Sequence, residues 1–176
     1  YVIAKNASGR HLGILNPLTG SITSQGILGD NFSYLTFNGN NTLLGCTGDG
    51  AAVPETAYRI NMNSAASTSI TFMGVGTDGE VLCYHPNNNK IYHWSGNITV
   101  FYEKYDTSFV IATNLSVGSY TKEVFGAVYK TNGKFLITNT SSQFRLVDTV
   151  GNFSPTITTY TQDLKGIAYI TCPRLI

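Results

Sequence analysis

The sequence predicts an all-β fold, a four-bladed β-propeller with four-stranded antiparallel blades, and three observations lead to it. Hairpin-like segments recur along the chain. A second strand pair follows each of them, and its turn residues are spaced by 45, 45 and 42 positions. No window has the three-to-four spacing of apolar residues that marks an amphipathic helix. Two hairpins give four strands in each repeat, and repeats of about 40 to 50 residues are typical of propeller blades.

The first hairpin of the repeat is present in three segments. Each has a short apolar run that ends near an aromatic residue, then a polar turn, then a second apolar run. The segments are FSYLTFNGNNTLLGCTG (32–48), EVLCYHPNNNKIYHWSG (80–96) and EVFGAVYKTNGKFLITN (123–139). Their turns, 38–41, 86–89 and 131–133, supply Asn and Gly, which tolerate the positive φ that tight hairpins need. Each segment therefore predicts a β-hairpin.

The second hairpin follows in HLGILNPLTGSIT, AYRINMNSAASTSIT, FYEKYDTSFVIAT and FRLVDTVGNFSPTIT. Each contains an apolar strand, a small polar turn and a Thr-rich strand. The turn opens with Asn16, Asn61, Asp106 or Asp148. Short Asn and Asp side chains bond the backbone of such a turn two residues on, so we interpret these four residues as turn formers rather than catalytic groups.

The two ends of the chain continue the repeat. LKGIAYITCPRLI (164–176) matches the first strand of a hairpin, with Tyr169 in the place of Phe37, Tyr84 and Tyr129, and YVIAKN matches the second strand. We therefore predict that 164–170 and 1–5 are adjacent antiparallel strands of one shared blade, a closure that removes exposed sheet edges. The predicted blades are 164–176 with 1–29, 30–76, 77–119 and 120–163.

This combination of an apolar strand, Asn or Asp, a small turn, a Thr-rich strand and an Asn/Gly hairpin resembles the extracellular repeat β-propellers of surface and secreted proteins, in the style of YVTN and NHL repeats. The resemblance covers the whole chain. It implies a propeller fold, and such families include adhesins, surface-layer proteins, glycan binders and enzymes, so it implies fold more than function. Many of those proteins have six or seven blades, which leaves open that the chain is part of a larger ring.

The composition excludes two classes of partner. Charged residues make up 12% of the chain, the net charge is +1, and no basic stripe could follow a phosphate backbone, so we expect no nucleic acid partner. No apolar stretch reaches the roughly 20 residues that span a bilayer.

Three cysteines, Cys46, Cys83 and Cys172, allow at most one internal disulfide, and none stands in a C-x-x-C pair.

Seven Asn-x-Ser/Thr sequons predict a secreted glycoprotein whose attachment sites are exposed on turns or outer strands. Attached sugars would account for solubility despite the low charge. The sequons begin at Asn6, Asn31, Asn40, Asn97, Asn114, Asn139 and Asn152.

We predict no catalytic, cofactor or metal site. His11, His85 and His93 lie in no recognisable nucleophile motif, and the carboxylates form no calcium loop. Glu80 and Glu123 open strands of neighbouring blades and could meet at the mouth of the ring, where a glycosidase needs two carboxylates about 5 to 10 Å apart. That possibility keeps a hydrolase as the third hypothesis.

Aromatic residues at equivalent positions predict packing between blades. Tyr92 and Trp94 share one face of their strand and could instead form a sugar-stacking platform. We therefore expect a non-enzymatic extracellular structural or adhesive module that associates with itself or with other surface proteins. The alternative is a carbohydrate-binding propeller with a glycan ligand.

Overall fold

The computed structural model describes residues 1–73, 80–96, 99–162 and 164–168, and the regular elements in these ranges are all β-strands. The strands are β1 Val2–Asn6, β2 Gly9–Leu15, β3 Ile22–Ile27, β4 Phe32–Phe37, β5 Leu43–Thr47, β6 Thr56–Ile60, β7 Ser67–Phe72, β8 Val81–His85, β9 Lys90–Ser95, β10 Phe101–Asp106, β11 Ala112–Leu115, β12 Val124–Lys130, β13 Lys134–Asn139, β14 Gln143–Asp148 and β15 Thr158–Thr159. The described part of the chain has no helix long and apolar enough to cross a membrane.

The strands form four antiparallel sheets, each a blade of the propeller. Blade 1 has the order β1-β2-β3, blade 2 β4-β5-β6-β7, blade 3 β8-β9-β10-β11 and blade 4 β12-β13-β14-β15. The three predicted hairpins are the pairs β4–β5, β8–β9 and β12–β13. Asn41, Asn89 and Asn132 have positive φ in their turns, as the hairpins require. The predicted four-bladed β-propeller is confirmed.

The axis of the propeller is filled rather than open. β4, β8 and β12 are the innermost strands, and β8 packs against both β4 and β12. The Tyr34 hydroxyl of blade 2 crosses the axis, donates to the carbonyl oxygen of Ala127 at 2.7 Å and accepts from the Ala127 N–H at 2.9 Å. Burial raises the pKa of Tyr34, so the phenol stays neutral. A side chain from one blade is therefore fixed to the backbone of the opposite blade.

The expected closing strand is only partly described. Residues 164–168 lie beside the innermost strands, where the carbonyl oxygen of Ile167 is 3.2 Å from the Tyr34 hydroxyl oxygen. Residues 165–168 line a cavity of about 310 Å³ together with 1–3 and 33–35. Within 164–168 no ladder pairs them with β1, and blade 1 has three strands in the described part of the chain. Tyr169, on which the prediction also depended, lies outside the described residues.

The core lies between the blades and consists mainly of aromatic residues. Trp94 stacks on Tyr102 with ring centroids 4.8 Å apart, and the edge of Phe135 from blade 4 meets Trp94 at 5.2 Å. The Tyr102 hydroxyl then donates to the carbonyl of Asp148 at 2.8 Å, which ties blade 3 to blade 4. Flat, large side chains suit this role because they fill the gap that widens between radiating sheets.

Because neighbouring strands of a blade are antiparallel, their turns lie at two opposite ends of the propeller. In blades 2 to 4 the turn between the first and second strands and the turn between the third and fourth strands lie at one end, as does the β2–β3 turn of blade 1, and we call this end the tip face. It consists of residues 16–21, 38–42, 61–66, 86–89, 107–111, 131–133 and 149–152. The other end, the mouth, is where the innermost strands begin.

The four predicted turn formers have that role. The side-chain Oδ1 of Asn16 accepts from the N–H of Leu18 at 2.9 Å, and Asn61 repeats this two residues on. Asp106 and Asp148 accept backbone N–H groups of their own turns. The Ser108 hydroxyl, together with backbone N–H groups, holds the pKa of Asp106 below its ordinary value. Burial alone would raise the pKa of Asp148, but hydrogen bonds from its turn and from the Asn152 side chain outweigh it and lower this pKa.

Candidate functional site

A buried polar network lies within blade 3, on the face opposite Trp94. His93 of β9 has both ring nitrogens occupied. Nε2 contacts Oε2 of Glu80, and Nδ1 contacts Oε2 of Glu103 on β10 at 3.2 Å. Ser95 donates to Oε1 of Glu80 at 2.9 Å, and the Tyr105 hydroxyl donates to Oε2 of Glu103 at 2.9 Å. All three ionisable side chains of the network are shielded from solvent.

The electrostatics of this network favour an imidazolium. Burial alone would lower the pKa of His93, but the Glu80 charge and the hydrogen bonds to Glu80 and Glu103 outweigh it and raise the pKa to about 9. Burial and the Glu103 carboxylate raise the pKa of Tyr105 as well. A base that is protonated and shielded on both nitrogens cannot accept a proton from a substrate. The network therefore joins three segments of one blade and holds their register.

The mouth contains a small polar cavity of about 300 Å³. Glu80 and Glu123 both line it, as the hypothesis of a carboxylate pair at the ring mouth anticipated. The Glu80 carboxylate, however, is fully buried and faces His93 and Ser95. Its two oxygens therefore do not form one half of an exposed acid pair. Among the described residues no group of three His, Cys, Asp or Glu side chains could hold a metal ion.

The sugar-stacking hypothesis for Tyr92 and Trp94 is wrong. Both side chains are buried between blades 3 and 4, where Tyr92 contacts Phe135 at 4.8 Å between ring centroids. A sugar cannot reach a ring that the neighbouring blade already covers. The packing interpretation, which the alternation of the strand also allowed, is the one that holds.

The other two histidines are not in a shared site. His11 lies on the surface of blade 1, where it bonds Asn6 at 3.0 Å and Ser24 at 3.1 Å. His85 is buried against the rings of Tyr129 and Phe135, and burial lowers its pKa.

A third cavity, of about 540 Å³, lies between blades 3 and 4, and we call it the side cavity. Its walls are the connection 116–122 from β11 to β12 and the turn 150–153, with Gln143 and Arg145 of β14 at its floor. Tyr120 and Phe153 stack there with centroids 3.8 Å apart and nearly parallel planes. Its volume falls in the range of about 300 to 1,000 Å³ that is typical of small-ligand sites.

The structure places the sequons in different environments. Asn6, Asn40, Asn114 and Asn152 are exposed, and Asn31 is half-buried with its amide bonded to Arg10, Asp49 and Gly50. Asn97 lies outside the described residues. The expected exposure of Asn139 is wrong. Its side chain is fully buried, Nδ2 donates to the Tyr120 hydroxyl at 2.9 Å, and Oδ1 accepts two backbone N–H groups of the turn that follows.

The described cysteines are unpaired and protected. Cys46 and Cys83 are free and buried, and Cys172 lies outside the described residues. Burial raises the pKa of both thiols, that of Cys83 to about 12. Thiols with such a pKa are poor nucleophiles at neutral pH.

The tip face is rich in exposed apolar side chains. Leu18 is 94% exposed and Val110 is 78% exposed, and each stands in an outer hairpin turn of a different blade. The seven turn ranges of this face contain no Asp, Glu, Lys or Arg, and the charged residues that border them are Lys90, Asp106, Lys130, Lys134 and Asp148. Eight of the thirteen exposed large hydrophobic residues in the described ranges belong to the tip face or border it: Tyr1, Leu15, Leu18, Ile22, Phe37, Val110, Ile111 and Val150.

Sequence reasoning missed the His93 network and the side cavity. Alternation offered a signal for the network, because His93 and Ser95 share a face of β9 while Glu103 and Tyr105 share a face of β10. The repeat pattern did not show which residues of β9 and β10 lie opposite each other. No sequence pattern marked the side cavity, because its walls come from two separate segments, the β11–β12 connection and a turn of blade 4.

Comparison with known proteins identifies the fold alone. No family model matches the chain, and no curated protein matches it. A protein of unknown function from Bacteroides thetaiotaomicron has a similar structure, with a TM-score of 0.63 and 12% identity over 88% of this chain and 43% of its own. Virginiamycin B lyase from Staphylococcus aureus has a TM-score of 0.57 and 11% identity over 86% of this chain and 53% of its own. The chain thus spans about half the length of these β-propeller proteins.

Proposed function

We propose that this chain is a non-enzymatic extracellular structural or adhesive module that associates with itself through the tip face. The observation that carries the proposal is the number of exposed apolar side chains on and beside the turns of that face. Contiguous exposed apolar surface is uncommon on monomers and marks interaction sites, and the cores of interfaces are depleted in charge. A second copy of the chain is the partner we favour because it offers the same uncharged turns.

The proposed extracellular setting rests on the sequons and the low charge. Asn6 and Asn114 are exposed and lie outside the tip face, so glycans there would leave the contact open. Asn40 and Asn152 stand in tip-face turns, and a glycan at either would cover part of the contact. The proposal therefore requires these two sequons to be unmodified in the associating form.

Sedimentation velocity over a range of concentrations tests the self-contact. The double substitution Leu18→Ser and Val150→Ser removes two apolar side chains from the tip face. Burying each is worth about 1.5 to 3 kcal/mol when complete, so we expect at least tenfold weaker association. Ile27→Ser with Phe72→Ser is the matched control, since these exposed residues end outer strands at the opposite end.

Two results would contradict the self-contact. One is a wild-type chain, produced without glycans, that stays monomeric at millimolar concentration. The other is an equal loss of association in the tip-face variant and in the control, because the tip face would then have no special role.

Carbohydrate binding is the second candidate function, and the side cavity favours it. The platform of Tyr92 and Trp94 is unavailable to a sugar, but the side cavity combines neutral polar side chains with the wall that Tyr120 and Phe153 form. Small-ligand sites have this combination of ring surface and a few polar groups.

A further inference from the structure

We infer that the side cavity binds a saccharide that carries carboxylate groups, such as a uronic acid oligomer. This inference deepens the second candidate function by naming the ligand class. It does not require self-association, because a monomer has the complete cavity, although Val150, Gly151 and Asn152 belong both to the cavity lining and to the tip face. Its basis is the charge of the cavity, the nature of its neutral groups and the rigidity of its walls.

The charge of the side cavity is positive. Of the side chains that line it, Lys122 and Arg145 are cationic, and no Asp or Glu is among the described lining residues. Burial raises the pKa of Tyr120 to about 12, so this phenol is neutral at neutral pH. The nearby carboxylate of Asp148 is already bonded to the N–H groups of its turn and to Nδ2 of Asn152 at 2.8 Å.

The two cations have complementary roles. Arg145 is held in place, because Nε donates to Oε1 of Gln143 at 3.0 Å and Nη1 donates to the carbonyl of Ser154 at 2.8 Å. Its guanidinium lies 6.0 Å from the centre of the Tyr120 ring. Lys122 is exposed, and no described residue accepts a hydrogen bond from it. A fixed guanidinium and an exposed ammonium at one cavity suit a carboxylate that arrives from solvent.

The neutral lining matches the rest of such a ligand. Side chains of Ser116, Ser119, Thr121, Gln143 and Asn152 line the cavity. Hydroxyl and amide groups can each donate and accept, which suits the ring hydroxyls of a sugar. Tyr120 and Phe153 supply the apolar wall for its C–H groups.

The walls of the side cavity are preorganised. Gly151 has a φ of 100°, and its backbone packs so closely on the carbonyl of Ser116 that no Cβ would fit. Nδ2 of Asn139 donates a hydrogen bond of 2.9 Å to the Tyr120 hydroxyl and fixes the position of this side chain. A site that is already shaped loses less ordering entropy on binding.

Isothermal titration calorimetry at low salt and pH 7 tests the inference, with the whole chain produced without glycans so that Asn152 is bare. The probes are trigalacturonate, its neutral counterpart galactotriose, and inorganic phosphate. We expect trigalacturonate to bind, galactotriose to bind at least tenfold more weakly, and phosphate to bind negligibly. Added salt should weaken the binding of trigalacturonate.

Variants locate the site. Lys122→Gln should weaken trigalacturonate binding roughly tenfold, whereas Lys130→Gln, the same change of charge at another exposed lysine, should leave it unchanged. Ser119→Glu places a negative charge in the lining and should weaken binding at least as much. Its neutral control, Ser119→Gln, should stay within about threefold of the wild type.

Each contrary outcome has its own meaning. Equal affinity for trigalacturonate and galactotriose would overturn the ligand class but leave carbohydrate binding in place. Absence of binding by either sugar would overturn the inference and the second candidate function together. Phosphate binding of equal strength would make the side cavity a general anion site, and equal effects of Lys122→Gln and Lys130→Gln would place the ligand elsewhere.

Discussion

Replacing His93 should change how the stability of the propeller depends on pH. The pKa of His93 is raised from 6.5 to about 9 in the folded chain, chiefly because Glu80 and Glu103 outweigh the effect of burial. The contacts that raise this pKa stabilise the folded state as long as the imidazole is protonated. The contribution is complete below pH 6.5, the pKa of the unfolded state, and is lost as the pH rises through 9.

The magnitude follows from the shift. At low pH the difference between the two pKa values contributes about 3 kcal/mol to the free energy of unfolding. Between about pH 6 and pH 8.5 the free energy of unfolding of the wild type should fall by about 2 kcal/mol relative to a variant without this imidazole. Thiols of the unfolded chain begin to ionise near the upper end of that window, but they do so equally in the wild type and the variant, so their effect cancels in the comparison.

The assay is urea unfolding followed by the fluorescence of Trp94, which is the single tryptophan and is fully buried. His93→Gln is the test variant, and it should also be less stable at pH 6 by about 3 to 5 kcal/mol because two buried carboxylates lose their cation. His11→Gln removes a surface imidazole and serves as the control. If His93→Gln is too unstable to fold, Glu103→Gln keeps a hydrogen-bond acceptor for His93 and should reduce the same pH dependence.

One result would refute this reasoning. If the free energies of unfolding of the wild type and of His93→Gln differ by a constant amount across the whole window, His93 does not titrate in it. The network would then not contain the imidazolium that its geometry implies.

Three further predictions concern groups fixed by burial or backbone geometry. Asn139→Ala should lower the free energy of unfolding by about 2 to 4 kcal/mol in urea titrations, because several hydrogen-bond partners of the buried amide lose it at once. Gly151→Ala should cost roughly 2 to 4 kcal/mol, since a Cβ there meets the backbone of the connection 116–122 at positive φ, whereas Gly20→Ala, with positive φ but open space, should cost about 1 kcal/mol. Cys46 and Cys83 should react with a thiol reagent such as dithionitrobenzoate at pH 8 only after unfolding, and rapid labelling of folded protein would show that the blades open far more readily than their packing implies.

The fold was predictable because a propeller repeats one local pattern. Each hairpin needs only alternating apolar residues and a turn that tolerates positive φ, and both are visible within about 17 residues of sequence, as at Asn41 and Asn89. Asn16 and Asp148 were predictable for the same reason, because a turn former acts on backbone groups within a few residues of itself.

The candidate sites were not predictable in the same way, because they depend on which blade meets which. Tyr92 and Trp94 looked available for stacking, and only the position of Phe135 in blade 4 shows that they are covered. Asn139 belongs to a valid sequon, but the hydroxyl of Tyr120 takes its amide hydrogen.

Glu80 shows most clearly which features the sequence determines and which features only the tertiary structure determines. The sequence placed it at the start of a strand and left open a meeting with Glu123 at the mouth of the ring, whereas the structure turns its carboxylate inward to His93. Strand order and blade number follow from a repeat, since they depend on backbone hydrogen bonds between neighbouring segments. The partner of a buried charge depends on register and on the desolvation that the neighbouring blade imposes, and only the assembled tertiary structure determines these.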